Sequence, residues 1–557
     1  MFSKLKIQII NVISVMFKKN VISALILINM LLAVTALLKD VFLASYLGTT
    51  SNADALTLAL FVPDTLGNLL FAASINMSCV PVFSMLFVNY KLDRLKKCFK
   101  NINVVVIIIS LFMSGLLFVF RQAIMGSLGN SLSPQIIKTY VQLFSIILPI
   151  IIFYPLLYAG VSIMQVYGKF IIPAWAPVLY NGMFLSSIFC MYILKIPSTK
   201  GVYIIALAIT LGVIGMFIMI LQAVSKLNIS FFDLGSKSIN LLKLPRNEIN
   251  DLRAILKIFL PYLLIIISTQ TVFFFERFIA SGQGVGSVAA LSYAFRLAQF
   301  PIWVFVAAIS TVILPSMSKL NGKGQAEELR KKIIKAFKTV LLFSIPMTTI
   351  LYILRIPIIT ILFERGAFDS NSLNITADIL QGYALAIIGQ SLWAVCLRYF
   401  MAVGKTGLPL LSCVCAVIIN IILDFYLTSK IGLSGLGYGA AIGATINAGI
   451  MLVGVMCNVD TSKKYNLLQK VILNIRIYLQ PFCRIIISNF PLLLLTLLFS
   501  RLWQTVLNIS CFYRYWVYVL IVVMSCSIVY WFSLQYCKVI IRGGKKSEGH
   551  TSDHSGL

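Results

Sequence analysis

Apolar runs long enough to cross a membrane recur from one end of this chain to the other. An α-helix needs about 20 such residues to span the hydrocarbon core of a bilayer. A helix also satisfies its backbone hydrogen bonds internally, as a segment in lipid must, whereas the strands of a membrane β-barrel alternate over about ten residues. The runs therefore predict an all-α polytopic membrane protein.

The composition excludes several classes of protein. Hydrophobic residues make up 60% of the 557 residues and charged residues 11%, whereas a soluble domain is about a quarter charged. A soluble enzyme, a disordered chain and a disulfide scaffold are thereby excluded. The net charge of +29 is typical of basic loops on the cytoplasmic side of a membrane, so nucleic acid is not a predicted partner. The two histidines, His550 and His554, both lie in the polar C-terminal tail.

We expect fourteen membrane-spanning helices. Several of the apolar segments are longer than a perpendicular crossing requires and contain proline, which predicts tilted or bent helices. The predicted spans, numbered 1 to 14, cover residues 22–48, 54–88, 102–120, 139–164, 170–194, 202–224, 254–281, 287–318, 339–363, 374–403, 407–429, 434–458, 485–505 and 514–537.

The distribution of basic residues predicts the orientation of these spans. If the N-terminus lies inside the cell, Lys and Arg are concentrated in the inner connections, as the positive-inside rule requires. We therefore expect both termini on the cytoplasmic side, and the N-terminal stretch lacks the cleavage site of a removable signal peptide. The longest inner connections, about 225–253 and 319–338, are basic and partly amphipathic, which favours contact with anionic lipid headgroups.

The first of these connections divides the chain into two halves of six spans that resemble each other. Residues 53–84 and 287–318 both begin with small residues, contain paired alanines and carry a proline near the end, at an offset of 234 residues. An even number of spans per half predicts a parallel repeat, as in alternating-access transporters. The predicted parts are an N-lobe, a cytoplasmic amphipathic linker, a C-lobe, two further spans and a polar tail: 1–225, 226–253, 254–458, 459–540 and 541–557.

Charged residues inside the spans are the first candidates for function, because each is costly in lipid. Arg296 lies near the middle of span 8 with no acid in its own helix, and Asp64 lies at a matching depth in the other half. A guanidinium in a water-filled cavity is suited to bidentate binding of phosphate, and Lys39 would add a second charge. A purely structural ion pair is the alternative. The full set is Lys39, Asp40, Asp64, Glu276, Arg296, Asp378 and Asp424.

A second polar group is predicted near the outer ends of spans 7, 11 and 12. Asn420 and Asp424 are four residues apart and therefore share one face of span 11. Glu276 and the backbone around Leu436 are expected at a similar depth. Carboxylate, amide and carbonyl oxygens are suited to a hard cation such as sodium. A hydrogen-bond cluster at the helix ends is the alternative that spacing alone leaves open.

Four segments of the sequence resemble the MurJ/MviN family, the lipid II flippases of the multidrug/oligosaccharidyl-lipid/polysaccharide exporter superfamily. They are KDVFLASYLGTTSNADALTLALFVPD (39–64), ERFIASGQGVGSVAALSYAFRLAQFP (276–301), LFERGAFDSNS (362–372) and NIILDFYLTSKIGLSGLGYGAAIG (420–443). The resemblance implies two six-helix lobes around a cationic cavity, with spans 13 and 14 forming a groove for a lipid tail. The implied cargo is an undecaprenyl-pyrophosphate-linked peptidoglycan precursor, carried to the outer leaflet of a bacterial cytoplasmic membrane.

The resemblance also implies roles for individual residues. Lys39 takes the place of a cavity arginine, and Arg296 matches the arginine of span 8. Asp40 matches the acid that follows the first of these, and Asp54 matches the acid after the first outer turn. Together with the acid of span 2, the predicted substrate-binding residues are Lys39, Asp40, Asp54, Asp64 and Arg296.

The chain departs from the family pattern at three positions. Two cavity arginines of the family fall here on Ala33 and Gly67, so the cavity is less cationic than the family pattern implies. A sodium-site threonine falls on Ala440. The remaining positions of the implied sodium site are present, and sodium is the one cofactor that the sequence suggests. These positions are Glu276, Asn420 and Asp424.

The leading interpretation is a lipid II flippase rather than an enzyme. A flippase for another lipid-linked oligosaccharide, such as an exopolysaccharide or teichoic-type unit, is the first alternative. A cation-coupled multidrug antiporter is less favoured because of Lys39 and Arg296. A membrane glycosyltransferase would need a larger extramembrane catalytic loop. The predicted partners are the lipid-linked substrate and membrane lipids. The sequence is compatible with a monomer and decides neither oligomeric state nor driving force.

Overall fold

The structure is a computed structural model of the whole chain. The predicted polar tail, with its two histidines, and residues 232–244 of the predicted linker lie outside the described residues. The residues described are 2–128, 134–231, 245–306, 309, 313, 316–318, 320–321, 324–405, 407–459, 467–507 and 514–536. Regular secondary structure within them is helical, with no strand in those ranges.

Eighteen α-helices are formed by the described residues. They are α1 Phe2–Leu47, α2 Ser51–Asp64, α3 Ala73–Val88, α4 Leu92–Val119, α5 Arg121–Leu128, α6 Pro134–Ile147, α7 Ile150–Val166, α8 Ile171–Ile193, α9 Ser198–Ser225, α10 Arg246–Ser281, α11 Ser287–Pro301, α12 Ala326–Ile353, α13 Arg355–Phe363, α14 Ser370–Val403, α15 Gly407–Ile431, α16 Ser434–Val459, α17 Leu467–Leu507 and α18 Arg514–Tyr536.

Fourteen segments of the described residues are long and apolar enough to cross a membrane. Each overlaps one predicted span, so the predicted number of spans and the all-α polytopic class are confirmed. Large apolar side chains are exposed along them, for example Phe112, Phe490 and Trp531. A folded protein in water rarely exposes so much contiguous apolar surface, and a surrounding lipid phase accounts for it.

The predicted span 339–363 is in fact two helices, α12 and α13. Pro357 stands in the first turn of α13 and has no backbone N–H to donate to the carbonyl of Ile353. The first helix therefore ends at Ile353, and α13 begins at Arg355 after the single residue Leu354. The pattern of apolar residues continues through this break, which is why hydropathy alone predicted a single span.

Two spans contain a π-helical stretch after a proline. Thr65–Ala72 follows α2, which contains Pro63, and Ile302–Val306 follows Pro301 at the end of α11. π-helical turns are rare and occur mostly as local bulges, frequently at functional sites. The division into an N-lobe, linker, C-lobe and C-terminal spans stays a prediction.

The first compact unit holds the residues predicted to be functional. In this unit α1 packs against α8, α8 against α9, α2 against α6 and α3 against α7. Rings of Phe83, Phe99, Phe231 and Phe217 meet edge to face and join α3, α4 and α9. Its segments are Met1–Arg296, Leu362–Ile379 and Cys413–Gly439.

The start of α10 is fixed within the same unit by a bidentate ion pair. Arg94 donates from Nε and Nη2 to the two carboxylate oxygens of Asp251, at 2.6 and 2.8 Å. Two turns further along α4, Asn101 Nδ2 donates to Glu248 Oε2 at 2.8 Å. These contacts hold the first turns of α10 against α4, and so position the helix that carries Glu276.

The second compact unit contains the last two spans. α12 packs against α17, and α17 packs against α18, where Trp503 and Tyr518 are buried together. A second core is formed by α12, α14 and α16 around Ile333, Tyr399 and Met451. The segments of this unit are Leu297–Ile361, Leu380–Ser412 and Ala440–Leu557.

Candidate functional site

Two of the predicted cations share one carboxylate. Arg296 Nη1 on α11 donates a hydrogen bond to Asp40 Oδ1 on α1, and Lys39 Nζ lies 3.3 Å from the same oxygen. Asp40 is only 8% exposed. The Lys39 ammonium also lies 5.2 Å from the centre of the Phe184 ring. We call Lys39, Asp40 and Arg296 the Asp40 cluster; three predicted substrate-binding residues thus come together.

Asp64, the acid expected at the depth of Arg296, has a different hydrogen-bond partner. It accepts from Asn68 Nδ2 at 3.3 Å, one helical turn further along. The charges of Lys39 and Arg277 also act on it. Asp64 therefore interacts with the charge of the Asp40 cluster through Lys39. The carboxylate that is hydrogen-bonded to Arg296 is nevertheless that of Asp40.

Arg277 is a residue of this region that the sequence analysis did not single out. Its guanidinium lies over the ring of Phe61 on α2, 4.3 Å from the ring centre. Arg277 follows Glu276 directly and lies inside the same predicted span. The rule that selected Glu276, an ionisable residue within a span, applies equally to Arg277.

Asp54 caps the first turn of α11. Its Oδ2 accepts from the backbone N–H of Gly286 at 2.5 Å and its Oδ1 from that of Ala289 at 2.8 Å. Asp54 is 1% exposed. The N-terminus of a helix carries unpaired N–H groups and a partial positive charge, both of which a carboxylate satisfies. In this conformation Asp54 joins α2 to α11 rather than facing a cavity.

The turn between α1 and α2 makes close backbone contacts with two other turns of the same unit. Gly48 has φ of +58°, and a Cβ there would overlap the carbonyl oxygen of Ala367. The Ala367 N–H donates to the Ser45 carbonyl at 2.8 Å. We call residues 45–54 together with the residues 286–289 and 362–372 that contact them the Gly48 end. Part of the segment that carries the family resemblance, 362–372, is therefore packed on the end of α1.

A short hydrogen-bond chain completes these contacts. Thr49 Oγ1 lies 2.7 Å from Ser372 Oγ, and Ser372 donates from both its backbone N–H and its hydroxyl to Asp369 Oδ1. These donors hold the pKa of the Asp369 carboxyl below its ordinary value. Asp369 thereby caps α14 and stays ionised, so the chain from Thr49 persists at neutral pH.

The structure brings the residues of the predicted second group together. Asp424 is fully buried and Glu276 is 1% exposed, and the charges of the two carboxylates act on each other. With its amide nitrogen turned toward Asp424, Asn420 donates to both carboxylate oxygens, at 2.6 and 3.2 Å. Gly439 leaves no room for a Cβ beside Asp424 Oδ1. We call Glu276, Asn420 and Asp424 the acid group.

The donor set of the acid group fits a hard cation. Two buried carboxylates repel each other unless a cation or a proton lies between them. Their oxygen atoms suit sodium, magnesium or calcium better than zinc or copper. The part of the chain that the structure describes contains no cluster of three or more His, Cys, Asp or Glu side chains that could hold a metal.

The remaining candidates differ in their environment. Asp378 is exposed, as expected of a residue whose side chain reaches water. Gly67 is buried, and a Cβ built on it would lie 3.0 Å from the Cα of Ile151 on α7. Ala33 is half-buried on α1 and lies two turns from the Asp40 cluster along that helix. Neither residue supplies a cation to the cluster.

Comparison with known proteins supports a single family. A family model described as lipid II flippase MurJ matches residues 43–515. The lipid II flippase MurJ of Burkholderia cenocepacia is 23% identical over 442 residues, covering 78% of this chain and 84% of that protein. The probable lipid II flippase MurJ of Buchnera aphidicola subsp. Acyrthosiphon pisum is 25% identical over 446 residues, covering 77% and 82%.

Solved structures share the fold. A lipid II flippase MurJ in an inward closed conformation superposes with a TM-score of 0.71 at 22% identity, over 93% of this chain and 99% of that one. An inward-facing multidrug resistance transporter of the MATE family superposes with a TM-score of 0.66 at 15% identity, over 78% and 96%. At these identities the likeness concerns the fold alone.

Proposed function

The chain belongs to the MurJ family of lipid II flippases, and on that premise we propose that it carries lipid II across the membrane. This cargo joins a long polyprenyl chain through a pyrophosphate to a sugar–peptide headgroup. The hydrocarbon chain dissolves in the bilayer, whereas the charged headgroup needs a polar path through it. The proposed activity is transport by alternating access, which leaves the lipid chemically unchanged.

The observation that carries this proposal is the sharing of Asp40 by Lys39 and Arg296. A buried cation is costly unless it is paired, and Asp40 supplies the pairing when no cargo is bound. A pyrophosphate offers more anionic oxygens than one carboxylate, and a guanidinium binds two of them at once. The headgroup therefore replaces Asp40 at both cations, and Asp40 recovers them after release.

Release of the headgroup requires the contacts at the Gly48 end to separate. The bonds from Asp54 to the first turn of α11 and the bond between Thr49 and Ser372 are few and polar. Each can be exchanged for bonds to water, so the closed arrangement is only moderately more stable than an open one. We assign the Gly48 end to the outer face, with both termini in the cytoplasm of a bacterial cell, because this orientation places most basic connections inside.

Sodium is the proposed coupling ion, bound by the acid group. The two buried carboxylates and the amide of Asn420 would hold it, and the ion would offset one of their two negative charges. Ala440 has no side-chain oxygen where the family pattern has threonine, so fewer side-chain ligands would be available than in that pattern. Binding is therefore expected to be weak and reversible, as a coupling ion requires.

A second cargo is favoured by the environment of Gly67. The backbone of α7 approaches closely there, since a Cβ on Gly67 would lie 3.0 Å from the Cα of Ile151, and Ala33 leaves a second family cation absent. A lipid-linked oligosaccharide with a monophosphate, or with a different sugar unit, would need fewer cations than lipid II. The multidrug antiporter interpretation rests on shared fold alone, and the Asp40 cluster does not favour a cationic drug.

Conditional complementation tests the proposed function. The chain is produced in bacteria depleted of their own lipid II flippase, beside the Arg296→Ala and Arg296→Lys variants. Growth with the native chain, loss with Arg296→Ala and partial growth with Arg296→Lys are expected, because lysine keeps the charge but not the bidentate geometry. Lys430→Ala, at an exposed cation near the end of α15, is the matched control. Failure of the native chain despite verified membrane insertion would exclude lipid II and favour the second cargo.

A further inference from the structure

Arg277 is a third cation in the region of the Asp40 cluster. It lies four residues before the end of α10, about 6 Å along the helix axis, inside a candidate membrane span. The guanidinium lies 4.3 Å from the centre of the Phe61 ring and 6.0 Å from that of Phe273. Its Nη1 also donates to the Phe273 carbonyl at 3.1 Å. The side chain is thus held in one direction, across α10 toward α2.

This direction separates Arg277 from the acid group. Consecutive residues of a helix point about 100° apart. The charge of Glu276 acts on Asp424 of α15, whereas the charge of Arg277 acts on Asp64 of α2. Arg277 therefore interacts with the same acid, Asp64, as Lys39 of the Asp40 cluster. Its chain neighbour Glu276, by contrast, is part of the proposed ion site.

Three cations and two acids interact in this region. Arg296 and Lys39 both contact Asp40, and the charges of Lys39 and Arg277 act on Asp64. Lys39 is influenced by the charges of both Arg296 and Asp64, so the five groups form one electrostatic network. Several cations gathered at membrane depth favour an anionic ligand over a neutral one.

We propose that Arg277 binds the phosphate groups of the cargo together with Lys39 and Arg296. This inference rests on the proposed function and adds a specificity-determining residue to it. On entry of the headgroup the guanidinium exchanges its interaction with Asp64 for phosphate oxygens, while the Phe61 ring keeps the planar group oriented. A ring under a guanidinium restricts its motion and leaves its edge open for bidentate bonds. Arg277 thereby offsets the cations that are absent at Ala33 and Gly67.

The test measures the binding of lipid II, and separately of undecaprenyl pyrophosphate, to the full-length protein in lipid nanodiscs. Arg277→Gln is expected to weaken both affinities roughly 10- to 100-fold, the range of a lost hydrogen bond between charged groups. Arg277→Lys is expected to have affinities between those of the unsubstituted protein and those of Arg277→Gln. Lys430→Gln removes an exposed cation at the end of α15 in the same unit and is expected to leave both affinities unchanged.

A second variant separates binding from a structural role. If Arg277 serves only to neutralise Asp64, the double variant Asp64→Asn/Arg277→Gln restores both thermal stability and affinity. If Arg277 binds phosphate, the double variant recovers stability while the affinity stays low. Unchanged affinity of a folded Arg277→Gln protein, or its recovery in the double variant, would overturn the role of Arg277. Failure of the unsubstituted chain to bind lipid II would instead overturn the proposed function.

Discussion

Thr49 and Ser372, which are 323 residues apart in sequence, share a hydrogen bond of 2.7 Å between their hydroxyl groups. The two residues stand at the end of α1 and at the start of α14, beside the backbone contact of Gly48 with Ala367. Two separate connections are thereby joined at the Gly48 end. In the proposed transport cycle this is the contact that opens when cargo leaves.

A disulfide at this contact is expected to stop transport. In Thr49→Cys/Ser372→Cys the two sulfur atoms replace oxygens that already touch, so oxidation bonds them with little movement. We expect oxidised protein to lose lipid flipping in vesicles, and a thiol reductant to restore it. The assay follows the accessibility of labelled lipid II at the outer surface.

Each single variant, Thr49→Cys and Ser372→Cys, is the control, since the chain has cysteines of its own. Both should remain active under oxidation. Full activity of the oxidised double variant, with the disulfide verified by mass spectrometry, would show that the Gly48 end does not open during transport.

The cap formed by Asp54 is expected to be the main stabilising contact of the closed Gly48 end. Asp54→Ala leaves the N–H groups of Gly286 and Ala289 without their acceptor in a buried place, at a cost of about 1–3 kcal/mol. Thermal unfolding in detergent measures this loss. Asp369→Ala removes an exposed cap from α14 and should cost less, because water replaces the lost acceptor. Equal losses for the two variants would contradict the burial argument.

Sodium is expected to stabilise the protein through the acid group. A ligand at 100 times its Kd adds about 2.7 kcal/mol to the free energy of unfolding, and Asp424→Ala should abolish that increment. Asp378→Ala, which removes an exposed acid of another span, should retain it. Thermal unfolding in sodium chloride and in choline chloride at equal ionic strength gives the comparison. Sodium-dependent stabilisation that persists in Asp424→Ala would exclude this site.

The membrane class, the number of spans and the pairing of Asn420 with Asp424 could be predicted from the sequence. Each follows from a local rule: a run of apolar residues predicts a span, and a spacing of four residues places two side chains on one face of a helix. The break before α13 was missed because Pro357 interrupts the backbone hydrogen bonds without interrupting the apolar pattern.

The partners of the charged residues could not be predicted in the same way. Asp40, rather than Asp64, accepts the hydrogen bond from Arg296, and this depends on how α1 and α11 are rotated about their axes. Asp54 was placed by resemblance among the substrate-binding residues, yet its oxygens are bonded to backbone N–H groups of a helix 232 residues away. Long-range contacts of this kind have no local signature in the sequence.

Arginine substituted at the two positions where the family pattern has it, Gly67 and Ala33, is expected to affect folding differently: the first substitution destabilises the fold and the second leaves it intact. At Gly67 a Cβ would lie 3.0 Å from Ile151 Cα and 3.4 Å from Ile150 O, so Gly67→Arg forces α7 away and lowers the unfolding temperature. Gly67→Ala should already lower it in part, because the contact is with backbone atoms that cannot rotate aside. An extra side chain in such a closely packed place typically lowers the free energy of unfolding by about 1–3 kcal/mol.

Ala33→Arg, by contrast, is expected to fold normally. Ala33 is half-buried, so a long side chain can extend along α1 toward water or cargo. The added cation should tighten binding of undecaprenyl pyrophosphate several-fold and make that binding more sensitive to salt, as a new charge contact requires. Ala33→Gln is the neutral control of similar length and should leave the affinity unchanged. Equal affinities for Ala33→Arg and Ala33→Gln would place position 33 outside the path of the phosphate groups.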